Sequence, residues 1–321
     1  MNFLDLGQIP AIHADGIHDD TAAIQQCLDR MKDGGTIWFP DGIYRISACL
    51  IFYSHQRLLF SDDAVLLRAV DEGREPTRYL LASYSDPGTG GYDGTHDVLI
   101  AGGIFDGNAA TTGKLTMFNT VHCRDITIRN CRFRCGSMWH YIELNSTQNA
   151  VIEDCVFDGT SYTAMRDDLT SELIQTDAPL VGTYGPVYNC NGELIDFLPD
   201  RTPCTKITIR NCLFKCDGFS AIGHHGNDEH TNIRIENNLF TGRSGKGERS
   251  RGYITFMEKV HDVTVTGNIF HSSADDGQQN RGVVTMNPDP SSCTVCGNTF
   301  AGRFTDICTG GITASDNSFD E

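Results

Sequence analysis

Alternating apolar and polar positions recur along most of this chain as copies of one short template. The segments DITIRNCRF (125–133), NAVIEDCVF (149–157), KITIRNCLF (206–214), NIRIENNLF (232–240), DVTVTGNIF (262–270), SCTVCGNTF (292–300) and GITASDNSF (311–319) share it, and DVLIAGGIF (97–105) is a looser copy. Period-two alternation of β-branched residues predicts a strand with one buried face. The closing phenylalanines, Phe105, Phe133, Phe157, Phe214, Phe240, Phe270, Phe300 and Phe319, are separated by 28, 24, 57, 26, 30, 30 and 19 residues. With one exception that is a coil of roughly 20–30 residues, the period of a solenoid. Two residues before the phenylalanine stand Cys131, Cys155, Cys212, Asn238, Asn268, Asn298 and Asn317. Stacked amides hydrogen-bond along a solenoid axis, and a buried thiol fills the same slot. Leucine-rich repeats would show several leucines and a helix per copy, and a propeller four strands in about 40–45 residues. The pattern therefore predicts an all-β chain, a single-stranded right-handed parallel β-helix (solenoid), as one domain over 1–321.

Two segments depart from the template. DGIHDDTAAIQQCLDRM (15–31) places Ile24, Leu28 and Met31 at helical spacing behind a cap at Asp19 or Asp20, which predicts an N-terminal capping helix over the open end of the coils. GGTIWFPDGIYRIS (34–47) predicts two strands broken by a Pro-Asp-Gly turn. Residues 1–48 are thus read as cap and first strands and 49–321 as coils. The wide gap between Phe157 and Phe214 contains APLVGTYGPVYNCNGELIDFLPDRTPC (178–204), a long loop beside the coils, where function usually sits.

Composition narrows the functional classes. A hydrophobic fraction of 39% with 21% charged residues suits a soluble protein, and no apolar run approaches the ~20 residues of a membrane span. A net charge of −17 without a basic stripe excludes a general nucleic-acid binder. The 13 cysteines are odd in number and fall at equivalent places in the coils, which reads as buried free thiols. Such thiols, with no secretory leader in MNFLDLGQIPAIHADG, predict a cytoplasmic protein unless a leader has been removed. Cys293 and Cys296 form a lone CxxC, so no structural zinc is expected and no residue is assigned to a metal. Monomer and homo-oligomer both remain open.

DGIHDDTAAIQ followed by GGTIWFPDGIYRI resembles the entry motif of the pectate-lyase-like β-helix superfamily, which includes glycosyl hydrolases resembling polygalacturonases, polysaccharide lyases and phage tailspike depolymerases. SELIQTD (171–177), DRTPC (200–204) and AIGHHG (221–226) are similar to an ordered set of motifs in bacterial β-helix glycosyl hydrolases. Gly223-His224-His225-Gly226 resembles the Gly-His-Gly element of polygalacturonases and Asp167-Asp168 their paired aspartates, while their Arg-x-Lys signature is absent. The resemblance implies the fold, a carbohydrate-active function and an oligo- or polysaccharide partner. A fold of this kind hosts many activities.

Aligning the coils also aligns a second strand in each: HYIELNS (140–146), ELIQTDA (172–178), AIGHHG (221–226), GYITFME (252–258) and GVVTMNP (282–288). With Ile142, Ile174, Ile222, Ile254 and Val284 inward, the outward columns are Glu143, Gln175, Gly223, Thr255, Thr285 and then Asn145, Asp177, His225, Met257, Asn287. Glycosidic cleavage uses one protonated and one ionised carboxyl, and close packing of two carboxylates raises one pKa. Asp177 and Glu143 are the expected pair, with Asp167, Asp168 and Glu172 as alternative partners. His225 would bind a carboxylate or sugar hydroxyl, and His224 on this register points inward. Trp139 and Tyr141 are candidate sugar-stacking walls, and Arg251 and Arg281 candidate contacts to an acidic sugar. The expected function is a glycoside hydrolase without cofactor. The alternatives are a polysaccharide lyase, for which alone Ca²⁺ would serve, or a non-catalytic or phage-derived glycan-binding β-helix.

Overall fold

The structure is a computed structural model that describes residues 2–108, 113–137, 139–161, 172–180, 187–224, 228–244, 252–256, 259–273 and 280–320. Among them, three parallel sheets of 11, 11 and 9 strands stack along one axis as a β-helix, beside a two-stranded hairpin. The first sheet runs from Phe3–Asp5 to Ile312–Ser315, the second from Asp15–Asp19 to Ser318–Asp320, and the third from Leu50–Phe52 to Asp306–Thr309. Each template copy supplies one strand to the first sheet and one to the second.

The template encodes the bend between those two strands. The residue just before each ladder Cys or Asn takes a left-handed backbone: Asn130 (φ 55), Asp154 (55), Asn211 (54), Asn237 (55), Gly267 (65), Gly297 (63) and Asp316 (53). Asn, Asp and Gly tolerate that conformation, which is why these residues occupy the column. Inward positions of the first sheet fall in register, Ile126 on Ala150 on Ile207 on Ile233 on Val263, and all are buried. Full burial of such a side chain is worth roughly 1.5–3 kcal/mol.

The two predicted ladders form. Phenylalanine rings stack at 5.1 Å (Phe105–Phe133), 4.9 Å (Phe133–Phe157), 4.7 Å (Phe157–Phe214), 4.9 Å (Phe214–Phe240) and 4.7 Å for the next two steps. The long insertion between Phe157 and Phe214 therefore leaves the column unbroken. Phe60 extends it at the other end, 5.6 Å from Phe105. In the amide ladder Asn238, Asn268 and Asn298 each donate Nδ2 to the next Oδ1, at 3.0, 2.9 and 3.0 Å. The same Oδ1 accepts the preceding backbone N–H, so each buried amide is satisfied on both sides. Cys155 and Cys212 imitate them, each donating its thiol to the carbonyl two residues earlier at 3.2 Å.

The capping helix spans Thr21–Arg30 and buries Ile24 and Leu28. Asp19 Oδ1 accepts the Thr21 N–H, whereas the Asp20 carboxylate turns back to accept from His13 and Ala14. Gln25 fastens the helix by exchanging hydrogen bonds with both backbone groups of Ile51. The strands on either side of Pro40-Asp41-Gly42 do not pair with each other. Gly35–Phe39 enters the first sheet and Gly42–Ile46 the second, making this turn a corner of the coil.

Part of the 178–204 loop folds onto the coils. Val187–Tyr188 and Leu194–Ile195 form the hairpin, and Val187 and Ile195 pack on Cys49, Ile51, Tyr79 and Ala82. The fully buried His122 ring bridges two chain segments, its nitrogens 2.7 Å from the Gly91 and Leu198 carbonyls. Asp200 accepts the Gly91 N–H at 2.8 Å beside it.

Candidate carbohydrate site on the third sheet

The outward row of the third sheet reads, in paired register, Ile51, Ala82, Asn119, Glu143, Gln175, Gly223, Thr255 and Val284. Its apolar start lies under the hairpin, so the polar segment Asn119–Glu143–Gln175 begins where the loop's cover ends. The next row pairs Val121, Asn145 and Asp177, placing Glu143 and Asp177 diagonally across adjacent strands. The end of the expected column is corrected by one residue. Ile254 pairs with Val283, so Val284 faces outward beside Thr255 and Thr285 pairs with Phe256.

Glu143 is only 9% exposed. Its Oε2 accepts from Thr116 Oγ1 at 3.1 Å and Asn119 Nδ2 at 3.3 Å. Burial, reinforced by the charge of Asp177, lifts its carboxyl from 4.5 to about 7, and hydrogen bonds from Thr116, Asn145 and Asn119 oppose the rise in part. Asp177 is partly exposed and accepts Gln175 Nε2 at 3.2 Å and the Ala178 N–H at 2.8 Å. The two carboxyls thus differ in environment, one recessed in side chains and one at the lip. Glu172 is fully buried at the start of the same strand, and His140 donates to its carbonyl at 2.7 Å.

The remaining candidates separate. Tyr141 is corrected from an outward wall to a core residue. Its ring stacks 6.0 Å from Phe133 and its hydroxyl donates to the Asp158 carbonyl, because it lies before the strand Ile142–Asn145, where alternation does not yet apply. Trp139 is half-buried, 5.8 Å from the Tyr79 ring, with Lys114 Nζ 5.0 Å above its face. His224 is buried and meets His230 edge-on at 4.9 Å. Arg281 lies four strands along the sheet from Glu143, about 19 Å at the usual strand spacing, and pairs with Asp306 at 3.2 Å. Asp167, Asp168, His225 and Arg251 lie outside the described residues, as does Met257. Sequence reasoning missed Tyr79, Thr116 and Asn119. Their strands, Tyr79–Ser83 and Thr116–Val121, precede the regular template, and the one available signal was the alternation within TMFNTV (116–121).

Residues 10–61 match the family described as rhamnogalacturonase A/epimerase, pectate lyase-like. Over its whole length the chain superposes on PfbA, a surface adhesin of Streptococcus pneumoniae, with a TM-score of 0.65 at 18% identity, covering 92% of that structure. The chain is a parallel β-helix whose first coils are similar to that pectate-lyase-like family. This β-helix is also similar in sequence to the plasmin and fibronectin-binding protein A of Streptococcus pneumoniae, 27% identical over 274 residues and 76% of the chain. The chain spans 37% of the length of that relative. A carrageenase solved with iota-carrageenan fragments shares the fold, with a TM-score of 0.55 and 13% identity over 94% of this chain and 57% of its own. The fold is thus common to glycan hydrolases and adhesins.

The cytoplasmic location expected from the cysteines is corrected by these relatives: the sequence relative is a plasmin and fibronectin-binding protein, and the PfbA structures are those of a surface adhesin. Free thiols are compatible with a cell surface once the fold shields them. Cys27, Cys49, Cys123, Cys131, Cys155, Cys204, Cys212, Cys216 and Cys293 are buried, and burial raises the pKa of Cys123 and Cys204 to about 12. Thiols held this way are poor nucleophiles and poor partners for exchange.

Proposed function

We propose that this β-helix acts at a cell surface as a glycan-binding protein, holding an oligo- or polysaccharide along the outer face of the third sheet. The observation that carries the reading is the partly exposed Asp177 carboxylate beside the recessed Glu143, with Asn119 and Gln175 buried behind them and the half-buried Trp139 four residues before Glu143. Carboxyls match sugar hydroxyls, and a partly exposed aromatic ring such as that of Trp139 matches the apolar face of a pyranose. Likeness to a surface adhesin and to a carrageenase supports both the location and the ligand class.

A second reading, glycoside hydrolysis, is favoured by one specific observation. Glu143 is held near neutrality beside a second carboxylate, which suits a general acid, with Asp177 as base or nucleophile. A panel of plant and microbial glycans, assayed for both binding and products, tests the two. Retention of a glycan without products supports binding alone. Reducing-end products that vanish in Glu143→Gln and Asp177→Asn establish hydrolysis, and products absorbing in the near ultraviolet establish a lyase. Absence of both binding and products refutes the carbohydrate reading.

A further inference from the structure

Away from the third-sheet row, His55, His96 and Asp97 bring one ligand atom each within 4.8 Å of the others. They sit on two successive coils at the corner leading into the first sheet. Both His55 (φ 62) and Asp97 (φ 55) adopt the left-handed backbone that this corner imposes. The coils are locked together there, since the His55 N–H donates to the His96 carbonyl at 2.9 Å and the His96 N–H donates to Ser54 Oγ at 3.0 Å. The His55 carbonyl in turn accepts from Gly35 at 3.2 Å. The three side chains therefore project from a backbone fixed on both sides before any ligand arrives.

Distances between the donor atoms decide what the cluster suits. His96 Nδ1 lies 2.8 Å and His55 Nδ1 3.4 Å from the same oxygen, Asp97 Oδ2. Ligands at about 2.0–2.2 Å from a shared first-row metal stand roughly 2.9–3.5 Å apart along the edges of an octahedron or tetrahedron. The imidazole rings are 4.7 Å apart at 88°, so they do not stack against each other and both reach the carboxylate. Beside them lies a cavity of about 570 Å³ lined by Lys32, Asp33, Asp86, Asp93 and His96, which leaves room for water in open coordination positions.

We infer that His55, His96 and Asp97 form a surface site for a first-row divalent transition metal such as Zn²⁺ or Co²⁺. Two imidazoles and one carboxylate select this class over Ca²⁺ and Mg²⁺, which prefer oxygen ligands throughout. The site is independent of the glycan reading, because none of its residues belongs to the third-sheet row.

The full chain, stripped with chelator, is titrated with Zn²⁺ by calorimetry and with Co²⁺ by visible absorption. One equivalent should bind, with visible bands from nitrogen and oxygen coordination. His55→Ala and Asp97→Asn should each weaken binding at least about tenfold while leaving the metal-free circular dichroism unchanged, as befits exposed side chains. A His13→Ala/His18→Ala double variant controls for a second histidine pair among the described residues, whose rings stack at 4.3 Å, and should bind as the parent does. Binding that survives His55→Ala and Asp97→Asn, that disappears with His13 and His18, or that is matched by Ca²⁺ overturns the assignment, as does the absence of one-equivalent binding at millimolar Zn²⁺.

Discussion

Replacing Glu143 by Gln should stabilise the protein at alkaline pH and leave it nearly unchanged in acid. Glu143 is buried and its carboxyl is raised from 4.5 to about 7, so the folded state binds a proton that the unfolded chain has already released. For a folded pKa above the unfolded one, the native state is favoured below 4.5, loses that advantage as pH rises through the interval, and carries the full penalty above about 7. The displacement corresponds to about 3 kcal/mol. Between pH 5 and pH 8 the parent should lose about 2–3 kcal/mol relative to Glu143→Gln, whose amide keeps the shape and still accepts from Thr116 and Asn119. Guanidinium unfolding of both proteins at the two pH values measures this, and other titrating groups cancel in the difference. Asp177→Asn should move the parent's transition to lower pH, because the Asp177 charge contributes to the rise. A gap between parent and variant that changes by less than about 0.5 kcal/mol across the range would refute the premise that Glu143 is held protonated near neutrality.

Four further outcomes follow from the packing. Phe240→Ala should cost about 3–5 kcal/mol in denaturant melts, since its fully buried ring stacks 4.9 and 4.7 Å from its neighbours. Asn268→Ala should cost about 2–4 kcal/mol by the same measurement, because it strips partners from Asn238 and Asn298 inside the ladder. His122→Leu removes the bridge between the Gly91 and Leu198 carbonyls, so limited proteolysis should cut between Val187 and Pro203 about tenfold faster while the coils stay intact. Labelling with a thiol reagent should reach at most Cys135, Cys190, Cys296 and Cys308 in the native protein and the buried thiols only after unfolding.

Much of the candidate site was legible in the sequence and part was not. Register along the third sheet from Ile142 to Ile254 follows from alternation, because slipping a strand by one residue would turn its whole apolar set to solvent. The slip at Val283 and Val284 escaped notice because two adjacent valines satisfy either register. Tyr141 was misplaced because period two holds only within a strand, and it lies one residue before one. The environment of Glu143 was illegible for another reason. Asn119 and Thr116 stand 24 and 27 residues upstream, in a coil that repeats the template only loosely.

The sequence by itself determined the coil. Period-two alternation, the Asn, Asp or Gly at each left-handed bend, and the Phe and Asn/Cys columns are local or repeating features, and each repeat can satisfy its neighbour in only one stacking. Tertiary structure alone decided what the coil carries. The hairpin's seat on Ile51 and Ala82, the near-neutral Glu143 beside Asp177, and the meeting of His55 with His96 and Asp97 arise between residues far apart in the chain. Burial and electrostatic coupling depend on distances in space, which the order of residues along a strand does not contain.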